Sequence, residues 1–210
     1  MENFNRQSHW ENIYQTKNLT DVSWYQPKPT TSLSFFSGFK VPKNAKIIDV
    51  GGGDSLLVDF LLDEGYTDLT VLDISESSLK KAQNRLGIQA KLVKWIVSDI
   101  TEFVPTERYD FWHDRAAFHF STNDSEVKNY LKNINENVVN DGILVLGTFS
   151  EKGPNKCSGI EIKQYSKKSL VQTIGSYFKK VKCLTENHKT PFNTVQNFVF
   201  CSFIKNIKTA

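Results

Sequence analysis

Apolar runs and amphipathic segments alternate along the middle of the chain. Short runs rich in Val, Ile and Leu are typical of buried strands, whereas apolar positions spaced three and four apart are typical of helices. The predicted strands are Lys46–Val50, Leu69–Asp73, Lys91–Ser98, Tyr109–His113 and Gly142–Phe149, and the predicted helices between them are Ser55–Glu64, Glu76–Leu86 and Asp124–Val138. This alternation indicates an α/β fold whose parallel sheet has helices on both faces.

The pattern changes in the last part of the chain. Two strands are predicted there, Phe178–Thr185 and Val195–Ile204. The loop His188–Thr194 between them is too short to hold a crossover helix, so these strands are predicted to pair antiparallel. Before the first strand, helices are predicted around His9–Gln15 and Thr31–Gly38. The prediction is therefore a seven-stranded sheet preceded by a helical segment.

A run of three glycines lies at the end of the first predicted strand. The segment Ile47–Ser55 reads I-I-D-V-G-G-G-D-S, with Gly51, Gly52 and Gly53 at the strand-to-helix turn. Glycine lets the backbone turn sharply and leaves no side chain between it and a ligand. Asp73 ends the second predicted strand, where a carboxylate can accept hydrogen bonds from both hydroxyls of a ribose. Together they predict a site for a nucleoside-bearing cofactor.

The residues after the glycines favour one cofactor over another. A dinucleotide fingerprint requires a small sixth residue, and Leu56 occupies that position. Asp54 adds negative charge where a pyrophosphate would lie, whereas the cationic sulfonium of S-adenosylmethionine suits an acidic surround. An NAD-dependent oxidoreductase stays as the alternative enzyme, and an ordinary glycine turn as the alternative without a cofactor.

Composition excludes several other classes. The net charge of +3 over 210 residues is too small and too scattered to indicate nucleic-acid binding. No apolar run approaches the roughly 20 residues that cross a membrane. Cys157, Cys183 and Cys201 form no metal motif and no even disulfide set. The expectation is a cytoplasmic protein that is a monomer or weak homodimer, with no metal and no membrane or nucleic-acid partner.

In combination, these motifs resemble those of the class I S-adenosylmethionine-dependent methyltransferases over nearly the whole chain. The glycine motif corresponds to residues 49–53, the ribose acid to Asp73 and the segment after the fourth strand to residues 109–115. The segment Gly147–Tyr165 resembles a bacterial branch of this superfamily. The resemblance implies a Rossmann-like sheet of order 3-2-1-4-5-7-6 with the last strand antiparallel. It also implies a methyltransferase domain at 41–210, with residues 1–40 as a helical cap over the cofactor site.

The resemblance also assigns cofactor-binding residues. The N-terminal H-W-E-N-I-Y-Q resembles a subgroup of protein-lysine methyltransferases that act on an elongation factor or citrate synthase, in which a W-x-x-x-Y pair covers the methionine end of the cofactor. The residues expected to bind the cofactor are Trp10, Tyr14, Trp24, Asp49, Gly51, Gly52, Gly53, Asp73, Ile74, Asp99, Ile100, Asp114 and Arg115. Asp99 has a second interpretation, as a cap for the turn at Thr101.

The segment after the fourth strand departs from that subgroup. Asp114-Arg115-Ala116 stands where those enzymes have Glu-Lys-Gly, so their substrate cannot be carried over. Histidine titrates near neutral pH and can accept a proton from an attacking nucleophile. The candidate catalytic residues are therefore His113, Asp114 and His119. Arg115 has two alternative roles, pairing with a substrate carboxylate or with Asp114.

The predicted activity is direct in-line transfer of a methyl group from S-adenosylmethionine to a nucleophile on a small molecule or a protein side chain. Transfer to a protein lysine is the more specific alternative. The less favoured alternatives are an NAD-dependent oxidoreductase and a non-catalytic regulator that binds S-adenosylmethionine.

Overall fold

The computed structural model describes residues 4–206, so residues 1–3 of the predicted cap and 207–210 of the predicted main domain lie outside it. Seven strands form one sheet and two short strands form a separate ribbon. The strands are β1 (Lys46–Val50), β2 (Asp68–Asp73), β3 (Val93–Val97), β4 (Tyr109–Arg115), β5 (Val138–Phe149), β6 (Lys156–Cys157), β7 (Ile160–Glu161), β8 (Phe178–Lys189) and β9 (Val195–Lys205). The helices are α1 (Arg6–Thr16), α2 (Thr30–Gly38), α3 (Leu57–Asp63), α4 (Glu76–Leu86), α5 (Asp124–Asn137) and α6 (Lys167–Ile174).

The order of the main sheet is β3-β2-β1-β4-β5-β9-β8. Strands β1 to β5 pair parallel, and β9 pairs antiparallel with both β5 and β8. With the β6–β7 ribbon set aside, this is the predicted order with an antiparallel last strand, so the fold prediction is confirmed. The carboxyl ends of β1 to β4 meet at one edge of the sheet.

Helices cover both faces of the sheet because neighbouring strand residues point to opposite sides. On β4, Phe111 packs with Phe36 of α2 on one face, whereas Trp112 packs with Tyr130 of α5 on the other. All four side chains are completely buried. Each face therefore has its own aromatic core, and the sheet is held rigidly between them.

Helix α4 shows how the local sequence determines its ends. Ser75 is the N-cap, and its side chain accepts a hydrogen bond from the backbone N–H of Ser78. Leu79 and Leu86 lie on its buried face. The helix ends at Gly87, which adopts a φ of +56°.

Three predicted boundaries moved in ways that affect the site. Helix α3 begins at Leu57 rather than at the predicted Ser55, so its first turn does not include the residues directly after the glycines. Strand β4 continues to Arg115, two residues past its predicted end. Strand β8 continues to Lys189, which places His188 inside a strand and not in the final loop.

The expectation that the cysteines form no disulfide is wrong. Cys183 and Cys201 face each other on β8 and β9, with Cα atoms 4.2 Å apart, and form a disulfide. Their pairing depends on the register of two strands, which cysteine spacing alone does not reveal. Cys157 is free and buried.

Within residues 4–206, no helix is both long enough and apolar enough to cross a membrane.

Candidate active site

A cavity of about 130 Å³ lies at the carboxyl edge of β1 to β4. Its wall includes these predicted site residues: Trp10, Tyr14, Trp24, Asp49, Gly51, Gly52, Asp73, Ile74, Asp99, Ile100, His113 and Arg115. The structure thus brings most of the predicted residues together, whereas Gly53, Asp114 and His119 are not on the wall.

The glycine turn is built for close approach. The backbone N–H groups of Gly51 and Gly52 donate to the carbonyl of Leu72, at 2.8 and 3.2 Å, which ties the turn to the end of β2. Gly53 has a φ of +51°, and a Cβ atom there would lie 2.7 Å from Tyr14 Oη. Any larger residue at Gly53 would therefore displace side chains that border the cavity.

Asp73 is positioned at the end of β2 to receive hydrogen bonds. Its Oδ1 accepts from the backbone N–H of Ser75 at 2.9 Å, and the residue is 6% exposed. Burial raises the pKa of Asp73 to about 7, although the Ser75 hydrogen bond opposes the shift. A ligand that donates hydrogen bonds to the buried Asp73 carboxylate would therefore stabilise its ionised form.

Asp99 has local partners as well as a place on the cavity wall. Its Oδ1 accepts from the backbone N–H and the hydroxyl of Thr101, both at 2.8 Å. Its Oδ2 lies 3.4 Å from Arg6 Nη1 on α1. The capping role is therefore present, and the cofactor role of Asp99 stays a prediction.

Three aromatic residues from the N-terminal segment pack against one another over the cavity. The ring centroids of Trp10 and Trp24 are 5.7 Å apart, and those of Tyr14 and Trp24 are 6.2 Å apart. Phe120, which the sequence analysis missed, lies 5.3 Å from Trp10. These rings provide a face that attracts a cation.

His113 is held on both sides of its ring. Its Nδ1 lies 2.7 Å from Asp49 Oδ1, and its Nε2 lies 2.9 Å from Ser32 Oγ. Ser32 lies on the cavity wall and on α2, and no motif in the sequence pointed to it. The arrangement forms a chain of hydrogen bonds from the interior to the cavity.

Asp114 points to the opposite face of the sheet from His113 and Arg115. It is fully buried, and it accepts hydrogen bonds from Tyr130 Oη at 2.7 Å and from the backbone N–H groups of Ala117 and Phe118. Burial raises the pKa of Asp114 to about 6. This placement corrects the prediction that Asp114 contacts cofactor or acceptor, because its oxygens are already occupied in the turn after β4.

His119 is also displaced from its predicted place. It is completely buried, and its Nδ1 accepts from the backbone N–H of Phe149 at 3.3 Å. Burial, together with the nearby Arg115, lowers the pKa of His119 to about 3. His119 does not line the cavity, and with so low a pKa it is a poor proton acceptor. Both observations argue against a catalytic role for His119.

The turn after β4 tolerates the departure from Glu-Lys-Gly. Ala116 stands where those enzymes have glycine and adopts a φ of +71°. Its backbone N–H donates to the carbonyl of Gly147 on β5 at 2.8 Å. The turn thus has a left-handed backbone conformation at Ala116. The conformational energy of that state is lower for alanine than for a larger residue.

The residues on this wall fit the adenosyl sulfonium cofactor predicted from the sequence. Asp54 has a buried Oδ1 without a hydrogen-bond partner, and burial raises the pKa of Asp54. Asp49, Asp54 and Asp73 make this part of the wall acidic, which suits a cation and not a diphosphate. The positive φ of Gly51 and Gly53 gives the backbone the shape that close approach requires.

Comparison with known proteins agrees with this geometry. Residues 47–142 match the family model described as a methyltransferase domain. The chain is 29% identical over 99 residues to the eEF1A lysine and N-terminal methyltransferase of Mus musculus. That match covers 47% of this chain but 14% of the mouse protein, so the chain spans a small part of this relative's length.

Two solved structures share the fold across almost the whole chain. The N-methyltransferase NodS of Bradyrhizobium japonicum, in complex with S-adenosyl-L-homocysteine, has a TM-score of 0.72 at 11% identity, covering 96% of this chain and 99% of NodS. The 1,6-didemethyltoxoflavin-N1-methyltransferase of Burkholderia thailandensis has a TM-score of 0.71 at 16% identity, covering 96% of this chain and 87% of that one.

Proposed function

We propose that the chain is a class I S-adenosylmethionine-dependent methyltransferase, which transfers a methyl group directly to a nucleophile on an acceptor held in the cavity. One observation carries the proposal. The glycine turn, the Asp73 carboxylate and the aromatic cluster all border the same cavity.

The residues of the chain position the reactants and exclude water. Bound S-adenosylmethionine supplies a methyl group that the positive charge on its sulfur already activates. We assign Asp73 to the ribose hydroxyls, Asp99 to the adenine amine and Ile74 to the adenine face. The rings of Trp10 and Tyr14 stabilise the cation by about 0.5–2 kcal/mol.

An amine acceptor must lose a proton before it attacks, because an unperturbed lysine amine has a pKa of about 10.4. His113 is the one of the three predicted catalytic residues that borders the cavity. Its Nε2 reaches the cavity through Ser32 Oγ, and its Nδ1 faces the Asp49 carboxylate. We therefore assign proton removal to the Asp49–His113–Ser32 chain.

The N-terminal residues 1–40 are proposed to act as a cap on the cofactor site. Glu11 of α1 accepts hydrogen bonds from Ser75 Oγ at 2.7 Å and from the backbone N–H of Ser77 at 3.2 Å, at the start of α4. Arg6 contacts Glu126 at 2.8 Å. These bonds hold α1 across the edge where the cofactor would enter.

We propose a small molecule as the acceptor. Trp10, Tyr14 and Trp24 line the cavity, and the 1,6-didemethyltoxoflavin-N1-methyltransferase that shares the fold has the small molecule 1,6-didemethyltoxoflavin bound. A protein lysine is the second candidate, supported by Trp10 and Tyr14 and by the similarity to the mouse eEF1A methyltransferase.

Labelling distinguishes the two acceptor classes. We expect that incubation of the protein with tritiated S-adenosylmethionine and a size-fractionated lysate places label in the small-metabolite fraction. Label in protein would support the lysine candidate. Absence of label from every fraction, in a protein that binds the cofactor, would favour a non-catalytic regulator.

Cofactor binding should strengthen as pH rises toward neutrality. Burial raises the pKa of Asp73 to about 7, and the ionised form is the better acceptor for two hydroxyls. Below that pKa, binding must release a proton, so the association constant should rise up to about tenfold per pH unit and level off about one unit above it. Isothermal titration with S-adenosylhomocysteine across this range measures the slope. Asp73→Asn should abolish most of the slope; Asp54, whose pKa burial also raises, accounts for any remainder.

We propose a cytoplasmic location and a monomeric or weakly dimeric state. The Cys183–Cys201 disulfide is unusual for a reducing compartment. The proposed location therefore rests on the predicted cofactor and not on the cysteines. Cell fractionation and size-exclusion chromatography test the two proposals separately.

A further inference from the structure

The Arg115 side chain reaches away from the predicted adenosine site. Its Nη1 donates to the carbonyl of Trp24 at 3.1 Å, and its Cζ lies 4.8 Å from the centre of the Phe198 ring. Phe198 is on β9, whereas Asp73 ends β2 on the other side of β1 and β4. The guanidinium therefore lies in the half of the cavity next to β5 and β9.

One edge of this guanidinium has no hydrogen-bond partner. Nε and Nη2 are buried and unpaired, and none of the ion pairs found among residues 4–206 includes Arg115. Burial lowers the pKa of Arg115 to about 10, so the group is still charged at neutral pH. A buried charge with two unmade hydrogen bonds is costly unless a ligand completes it.

The geometry of the free edge identifies the missing group. Nε–H and one N–H of Nη2 point the same way, parallel to each other, which is the arrangement that a carboxylate accepts in bidentate fashion. The bond from Nη1 to Trp24 and the stacking on Phe198 hold the edge in place. We propose that Arg115 binds a carboxylate of the methyl acceptor, an inference that rests on the methyltransferase function proposed above.

The surfaces around Arg115 indicate the rest of that acceptor. Trp24, Phe149 and Phe198 line this part of the cavity, and they favour a flat apolar body. Cys157 also lines it, and burial raises the pKa of its thiol to about 12, so it is a neutral wall and not a nucleophile. The acceptor class is thus a small, planar carboxylic acid that also has a nitrogen or oxygen nucleophile.

The negative charge of Glu186 acts on the guanidinium of Arg115. Its Oε1 accepts from Gln26 Nε2 at 3.4 Å, and its buried Oε2 has no partner. Its negative charge favours the protonated form of Arg115 without forming an ion pair with it.

The experiment compares acids with their neutral amides on protein saturated with S-adenosylhomocysteine. The pairs are acetate and acetamide, benzoate and benzamide, and indole-3-acetate and indole-3-acetamide, titrated by calorimetry. We expect at least one acid to bind about tenfold tighter than its amide, since charge-assisted hydrogen bonds exceed neutral ones. Arg115→Gln should reduce that preference to about twofold or less, and Arg115→Lys should keep part of it.

Arg108→Gln is the matched control, because Arg108 is an exposed arginine directly before the start of β4. It should keep the full preference for acids. Both glutamine variants should bind S-adenosylhomocysteine as wild type does, within about threefold.

The outcomes separate the inference from the proposed function. Equal binding of every acid and its amide to wild type would overturn the carboxylate assignment while leaving cofactor binding intact. If Arg115→Gln alone lost affinity for S-adenosylhomocysteine, Arg115 would be a cofactor-binding residue, and the carboxylate assignment would again be overturned. A wild-type protein that binds no S-adenosylhomocysteine would refute the proposed function itself.

Discussion

Replacing Asp73 by alanine is expected to weaken S-adenosylmethionine binding by roughly 100- to 10,000-fold, the effect of losing two hydrogen bonds to a charged group. Asp73 is 6% exposed and ends β2 beside the glycine turn. Water cannot easily replace the carboxylate there, so the ribose hydroxyls would be left without an acceptor. Isothermal titration with the cofactor measures the loss, and NAD titrated in parallel tests the oxidoreductase alternative.

Asp68→Ala is the matched control for this change. Asp68 begins the same strand and makes partly exposed ion pairs with Lys46 and Lys94, far from the cavity. Such pairs contribute about 0–1 kcal/mol to stability, and their loss should leave cofactor affinity within about twofold. Undiminished binding by Asp73→Ala would contradict the assignment of this carboxylate. Thermal melting of both variants checks that each is folded, because Asp73 also accepts from the N–H of Ser75.

Periodicity and glycine chemistry predicted the elements that position the cofactor. Strand β1 and helix α4 have the predicted bounds, since each combines a clear apolar pattern with a sharp glycine or serine boundary. The order of the strands came from the family resemblance and not from periodicity. The pattern of apolar residues shows that a sheet has two buried faces, but it does not show which strand lies beside which.

The roles after β4 could not be assigned because the strand was predicted to end too early. A strand that ends at His113 leaves Asp114 and Arg115 free to point into one site. Since β4 continues to Arg115, successive side chains alternate, and Asp114 faces Tyr130 on the far side of the sheet. An error of two residues in a boundary therefore placed Asp114 among the candidate catalytic residues.

Other features depended on contacts between distant segments. Ser32 is an ordinary residue of α2, and it reaches His113 only because α2 packs across the first face of the sheet. Cys183 meets Cys201 through the register of β8 and β9. Neither contact leaves a signal in a single sequence, so both required the structure.

Replacing Gly53 by alanine is expected to reduce cofactor affinity by roughly 10- to 100-fold, or about 1.4–2.8 kcal/mol. The new Cβ would lie 2.7 Å from Tyr14 Oη and 3.1 Å from Asp73 Oδ2, so both side chains must move. Tyr14 is 7% exposed and packs against Trp10 and Trp24, which leaves it little freedom to do so. Calorimetric titration with S-adenosylhomocysteine measures the change.

Gly65→Ala separates this collision from backbone strain. Gly65 also has a positive φ, of +86°, but a Cβ there would have no atom within 4 Å. Both substitutions force alanine into the left-handed region, which costs about 1–2 kcal/mol of stability, whereas only Gly53→Ala disturbs the cavity. Gly65→Ala should therefore lower the melting temperature while it binds the cofactor normally, and Gly53→Ala, which adds the collision, should melt at least as low. Equal loss of affinity in both would mean that general destabilisation, and not the shape of the glycine turn, controls binding.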